Sequence, residues 1–239
     1  MKQRLFGLAV LLLTVVLLPA WGPQAAADDK DDAGWVQLFN GKDLTGWKLH
    51  PKPGGNIADV LPVQKNGKLL AYLGEMKDGT ALLWHVENGI LTGGGPASHL
   101  FSERGDYENF RYRVEAMINN GGNSGQYFRT QFRPRFPNGY EAQINATHSD
   151  PIRTGSLYLP KVPEVLVKNV APHKPDEWFT QEVIADGNHI IIKVNGKTTV
   201  DWKDPENRHK KGHFALQGHD PKTMVKFKKI EVKELPATK

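Results

Sequence analysis

The sequence predicts an all-β protein, a sandwich or barrel of many short antiparallel strands, on three observations. From Trp35 to Leu235, short apolar or alternating runs are punctuated by Gly, Asn, Asp and Pro, with 24 Gly and 16 Pro in the 239-residue chain. Dipeptides that favour two-residue hairpin turns stand between such runs at Asn88-Gly89, Asp186-Gly187 and Asn195-Gly196. Only one stretch, Leu69 to Met76, has apolar residues at helical spacing, and it is short and carries Gly74.

Lys2 and Arg4 precede an apolar run from Leu5 to Leu18, and Ala25, Ala26 and Ala27 follow before Asp28. A basic start, a short apolar run and small residues describe a secretory signal peptide over residues 1–27, so export to a periplasm or the cell exterior is expected. The run is shorter than the roughly 20 apolar residues that span a bilayer. An uncleaved N-terminal anchor is the alternative. Residues 28–34 read as a charged, flexible leader, and residues 35–235 as a single domain.

The expected strands are Phe110 to Ile118, Gly125 to Phe132, Tyr140 to Ile144, Trp178 to Ala185, His189 to Val194, Thr198 to Trp202, Gly212 to Gln217 and Met224 to Val232. Residues pointing to one face of a strand alternate with those pointing to the other, which places Phe128, Ile144, Val183, Ile191 and Phe214 between the sheets. In the last strand Val225 and Phe227 have one parity and Ile230 and Val232 the other, so a bulge near Lys228 and Lys229 is needed to restore one inward face. Leu69 to Met76 is read equally as a short helix or an irregular hairpin. Residues 50–80 as a whole read as an excursion over one end of the sheet, with Lys52 to Asn56 and Asp59 to Gly67 as loop.

The formal net charge of +5 falls by two, to +3, once Lys2 and Arg4 are removed. The lysines are scattered except for Lys222, Lys226, Lys228, Lys229 and Lys233, a pattern that suits a solvated strand face better than a nucleic-acid surface. The chain has no cysteine, which excludes disulfides, thiolate metal sites and a cysteine nucleophile.

The strands around Gly125 and Tyr140 carry chemistry on one parity. Tyr127, Arg129 and Gln131 share a face, as do Glu141, Gln143 and Asn145, while Phe128, Ala142 and Ile144 take the other. Tyr, Arg, Glu, Gln and Asn all make directional hydrogen bonds of the kind a polyhydroxylated ligand uses. Glu141 is the first candidate for a base or metal ligand, and a structural salt bridge to Arg129 across the strands is its rival reading. His219 shares parity with Gln217 and suits an acid, a base or a ligand, or merely ends its strand before Asp220 and Pro221. Asn123, Ser124 and Gly125 read as a tight turn into the strand. No histidine has a recognised metal-ligand spacing, although Glu141, His148 or Asp150, and His219 could be assembled around a divalent cation from distant strands. No Gly-x-Ser-x-Gly elbow is present, which argues against a serine nucleophile.

In order along the chain, Phe39 to Trp47 (FNGKDLTGW), Trp84 to Leu91 (WHVENGIL), Gly122 to Arg129 (GNSGQYFR), Gly139 to Ile144 (GYEAQI), Thr154 to Tyr158 (TGSLY) and Ala215 to His219 (ALQGH) resemble the motifs of the 3-keto-disaccharide hydrolase domain family. The resemblance covers essentially all of residues 35–235. It implies a concanavalin A-like jelly roll of two antiparallel sheets with its site on the concave face. It also implies cleavage of glycosides whose sugar is oxidised to a ketone at C3. Such a ketone acidifies the C2 proton, so a base can remove it and the enolate can expel the glycosidic oxygen. That route needs a base, oxyanion stabilisation and a donor to the leaving group. Glu141, His219 and Arg129 are the catalytic candidates, and Tyr127, Gln143, Asn145, Tyr158 and Gln217 the substrate-binding ones. No cofactor is identified, though a divalent metal is compatible. The expected partner is a carbohydrate, with no nucleic acid and, once the signal peptide is cleaved, no membrane. A non-catalytic sugar-binding module is the alternative, because this fold serves binding as readily as catalysis.

Overall fold

The computed structural model describes residues 33–159 and 170–236, so the segments read as signal peptide and most of the leader lie outside the described residues. Sixteen strands are described: β1 (Val36–Gln37), β2 (Trp47–Leu49), β3 (Asp59–Lys65), β4 (Lys68–Met76), β5 (Gly79–Glu87), β6 (Ile90–Gly94), β7 (Ser98–Ser102), β8 (Phe110–Ile118), β9 (Ser124–Thr130), β10 (Tyr140–Ile144), β11 (Leu157–Tyr158), β12 (Phe179–Asp186), β13 (His189–Val194), β14 (Lys197–Lys203), β15 (His213–Gly218) and β16 (Met224–Glu234). They form a ten-stranded sheet in the order β14-β13-β12-β8-β16-β6-β5-β4-β3, with β1 added to β16, and a six-stranded sheet in the order β11-β10-β9-β15-β7-β2. Every pairing is antiparallel.

The larger sheet buries one face and solvates the other. In β8, Phe110, Tyr112, Val114, Ala116 and Ile118 point inward, and Arg111, Arg113 and Glu115 point out. Outside, Arg111 pairs with Glu182 at 2.5 Å, Arg113 with Glu231 at 2.5 Å, and Lys228 with Glu115 at 2.6 Å. The dense lysines of β16 thus sit on a solvated, ion-paired face. Between the sheets, Phe214 stacks on Tyr112 and Tyr107, and Phe128 on Tyr140. The β16 register shifts between Phe227 and Lys229, which turns Val225, Phe227, Ile230 and Val232 all inward as their parity required.

Phe128, Ile144, Val183 and Phe214 are fully buried in that core, but Ile191 is not. Antiparallel pairing sets Val183 opposite Ile192 and leaves Ile191 beside Ile184 on the outer face. Three consecutive isoleucines, 190 to 192, carry no alternation from which to choose between the two faces.

Lys52 to Asn56 is loop as expected, but residues 59–80 are not an overhanging excursion, since β3 and β4 extend the larger sheet beyond β5. The helix reading of Leu69 to Met76 gives way to β4, and the loop reading of Asp59 to Gly67 to β3 and its turn. The turn is Asn66-Gly67, both residues at positive φ (53° and 72°), as are Asn88-Gly89 and Asn195-Gly196. Such a pair matches the twist of two hairpin strands, and it decides strand over helix here. At the β12–β13 hairpin, the turn residues are Gly187 and Asn188 rather than Asp186 and Gly187, because Asp186 pairs with His189.

Candidate functional site

Strands β9, β10, β15 and β7 are buried on both faces, one by the core and the other by loops. On the loop-covered face, Glu141 lies opposite Tyr127 and Gln143 opposite Gly125, while Tyr158 flanks Glu141 on the other side. Gln217 faces His99 across β15 and β7. Gly125 makes room for the acid. A Cβ there would stand 2.1 Å from Glu141 Oε1 and 2.8 Å from the Tyr127 ring.

The result is a cleft of about 170 Å³ with Glu141, Gln143, Tyr158, Gln217 and His219 on its floor and sides, together with Asn123. Phe136, from the β9–β10 loop, and Asp150 and Ile152, from the β10–β11 loop, form its rim. Tyr127 lies beneath the cleft, 2% exposed, and packs with Phe101 and Ala215.

Glu141 is 3% exposed. Burial pushes its carboxyl up to about 8, with Tyr127 hydrogen bonding opposing the rise and the charge of Asp150 adding to it. That rise favours the carboxylic acid over the carboxylate at this position. Tyr127 is linked in turn to Gln217, whose Nε2 donates to the phenol oxygen at 3.2 Å. Burial, followed by the neighbouring Glu141, holds the Tyr127 phenol well above its ordinary range.

His219 belongs to a second hydrogen-bonded set. Burial pushes the Asp220 carboxyl up, but hydrogen bonds from His219, the Lys222 amide and Thr223 outweigh that and hold it below the ordinary carboxylate range. An ionised carboxylate only accepts, so His219 donates Nδ1–H to Asp220 Oδ2 at 2.9 Å, which leaves Nε2 as the lone-pair nitrogen of the neutral ring. Thr223 donates to the same oxygen at 2.9 Å and accepts from the Asn123 amide at 3.0 Å.

Three expected site residues are corrected, the first being Tyr127, which lies under the floor and does not line the cleft as a substrate-binding residue would. Arg129 does not share the Tyr127 face, because the β9–β15 register shifts between His213 and Ala215 and Arg129 takes a φ of 51°. The bulge turns its side chain away from the cleft, 1% exposed, to donate to the carbonyls of Glu108 (2.8 and 2.6 Å), Gly187 (2.7 Å) and His209 (3.1 Å). It is neither an oxyanion donor in the cleft nor the salt-bridge partner of Glu141. Asn145 is fully buried, and its amide donates to the carbonyls of Asp150 (3.0 Å) and Ile152 (2.7 Å) while its oxygen accepts from the His148 amide (2.8 Å). It shapes the loop that carries the rim and has no free polar atom for substrate. Gln131 lies beyond the end of β9, exposed.

Asn123, Phe136, Ile152 and Asp220 were missed as site residues. Asn123 sits where a turn was expected, yet it lines the cleft, and its Oδ1 is buried without a hydrogen-bond partner, as is Gln217 Oε1. His99 is in β7, edge-on to Tyr127 at 5.2 Å, with Nε2 buried and unpartnered. Asp220 follows His219 directly, so the adjacent His-Asp pair was the available signal.

Among the described residues, the group able to hold a cation is His148, His219 and Asp220, whose ligand atoms lie within 4.8 Å of one another; Glu141 and Asp150 are not in it. The Asp150 amide donates to His148 Nδ1 at 3.0 Å, so the proton of the neutral ring sits on Nε2, 3.8 Å from Asp220 Oδ2. Within the trio the hydrogen bond is that of His219 Nδ1 to Asp220, while His148 Nε2 stands too far from the carboxylate for one.

The sequence model of the 3-keto-alpha-glucoside-1,2-lyase-like domain matches residues 34–233. No curated protein matches the chain. Among solved structures, a candidate glycosyl hydrolase from Parabacteroides distasonis is 22% identical with a TM-score of 0.60, over 88% of this chain and 98% of that one. The carbohydrate-binding module CBM66 from Bacillus subtilis is 15% identical with a TM-score of 0.51, over 79% and 96%. SCLam, a non-specific endo-β-1,3(4)-glucanase of family GH16, is 14% identical with a TM-score of 0.52, over 84% and 91%. These likenesses are of fold, the two-sheet concanavalin A-like sandwich.

Proposed function

The chain belongs to the 3-keto-alpha-glucoside-1,2-lyase-like family, and on that premise we propose that it is an exported enzyme that cleaves 3-keto-glycosides by elimination. The observation that carries this reading is a buried Glu141, its carboxyl pushed up by burial, in the same cleft as a His219 whose Nδ1 is committed to Asp220. Elimination needs one group to take a proton and another to give one, and these environments separate the two roles.

His219 Nε2 takes the proton from C2, next to the C3 ketone. The electron pair forms the enolate, then returns to make the C1–C2 double bond and the C3 carbonyl while the C1–O bond breaks. Glu141 gives its proton to the departing oxygen, so the products are a 2-hydroxy enone and an alcohol. His219 then returns its proton to solvent, and Glu141 takes one back. Asp220 stabilises the imidazolium that forms and fixes the tautomer that can act. Tyr127 keeps the Glu141 carboxyl over Gly125. The unpartnered Asn123 and Gln217 oxygens, with Gln143, suit the hydroxyls of a single sugar ring, since a cleft of about 170 Å³ holds little more.

The test is to incubate the protein with 3-keto-glucosides and with their unoxidised parents. Release of aglycone and an enone chromophore from the keto forms alone is expected. Asp220→Asn is expected to lower kcat by about 10²-fold, within the range for impaired proton transfer, with little change in KM. Tight binding of both forms without turnover would instead make the protein a sugar-binding module.

A further inference from the structure

A second cleft, of about 290 Å³, opens beside the first and is lined by Pro53, Gly54, Ala97, His99, Arg135 and Phe136, mostly through their carbon atoms. Phe136 lines both clefts, so the two ring-sized spaces share a wall. Resting on the 3-keto-glycoside reading above, we infer that this second cleft is the leaving-group subsite and that it takes a planar aromatic aglycone rather than a second sugar.

The chemistry of the walls favours the aromatic. A second sugar would bring a hydroxyl on most of its carbons, and each one buried without a partner is costly. These walls offer few partners. A flat ring has faces and edges for Phe136, whose side chain remains 59% exposed and stands edge-on to His99 with centroids 5.9 Å apart. His99 contributes its imidazole to this wall, with Nε2 buried and without a partner. Phenols are also the easier leaving groups, with a pKa of about 10.

The subsite is formed in advance. The Arg135 amide donates to the Pro53 carbonyl at 2.8 Å, tying the loop after β2 to the loop after β9. Arg135 takes a φ of 63°, and Gly54, at φ 118°, passes so close that a Cβ would lie 3.0 Å from Arg135 Cγ. A preformed slot loses little entropy on filling, and it discriminates by shape.

The experiment compares kcat/KM for 3-keto 4-nitrophenyl glucoside and for a 3-keto glucosyl-glucose disaccharide, in the wild type and in Phe136→Ala. The aryl substrate is expected to exceed the disaccharide by at least about tenfold, and Phe136→Ala to cut that preference by about tenfold. Saturation-transfer NMR with unoxidised 4-nitrophenyl glucoside adds a readout that does not depend on turnover. Transfer to the nitrophenyl protons should exceed transfer to the sugar protons and be lost in Phe136→Ala. Equal rates for the two substrates, a preference unchanged in Phe136→Ala, or transfer to the sugar alone would overturn the subsite. Absence of turnover with both keto substrates, together with strong nitrophenyl transfer, would remove the elimination reading and leave the aromatic subsite standing.

Discussion

Glu141→Gln is expected to lower kcat/KM for a 3-keto-glycoside by about 10²–10⁴-fold, the usual cost of losing a proton-transfer group, and to raise thermal stability at pH 8. The amide keeps the shape and hydrogen-bonds to Tyr127, but it has no transferable proton. The stability half follows from the carboxyl held at about 8 against an ordinary 4.5. The folded protein binds that proton more tightly than the unfolded chain. Its stabilising contribution is therefore complete below pH 4.5 and is lost as pH rises to about 8. Glutamine never ionises, so the variant should melt several degrees above the wild type at pH 8, with the gap closing towards pH 4. Melting curves at both pH values check this. A variant that melts lower at pH 8 would mean that the carboxylate is a structural anchor.

Arg129→Lys is expected to destabilise the fold by about 3 kcal/mol or more, a fall in Tm of order 10 °C, with kcat per folded molecule close to that of the wild type. The planar fork serves three carbonyls from separate loops, at Glu108, Gly187 and His209, which a single ammonium on a different stem cannot reach together. Any acceptor left dry in that buried place costs stability. Thermal denaturation alongside active-site-normalised kinetics separates the effects. Wild-type Tm with lost kcat would return Arg129 to the cleft.

Why Arg129 misled the sequence reading, while the bulge in β16 did not, is a matter of what surrounds each bulge. In β16, Val225, Phe227, Ile230 and Val232 cannot all face inward without an extra residue, so apolar parity exposes the irregularity. In β9 only Phe128 marks the inward face near the bulge, and Arg129 carries no signal that its backbone turns left-handed. Alternation made β8 and β10 legible to their end residues. It was silent for Ile190 to Ile192, and it competed with a helical period in β4 until the Asn66-Gly67 turn settled the matter. Within the site, Glu141, Gln143 and Gln217 were legible because polar parity on a half-apolar strand is unusual. Asn145 shares that parity but lies one residue past the β10 end, where its side chain turns to the loop. Phe136 and His99 depend on how loops fold over the sheet, which strand periodicity does not encode.

The pH dependence of kcat/KM distinguishes Glu141 as proton donor, with His219 as the base, from the reverse assignment. Measured on a 3-keto aryl glucoside, the rate should fall as pH rises through about 8, as the Glu141 carboxyl loses its proton. That descending limb should vanish in Glu141→Gln, leaving a low rate that depends on pH only through the other groups. A rate that instead climbs through pH 8 and stays high would contradict the account, because Glu141 would then work as the carboxylate base.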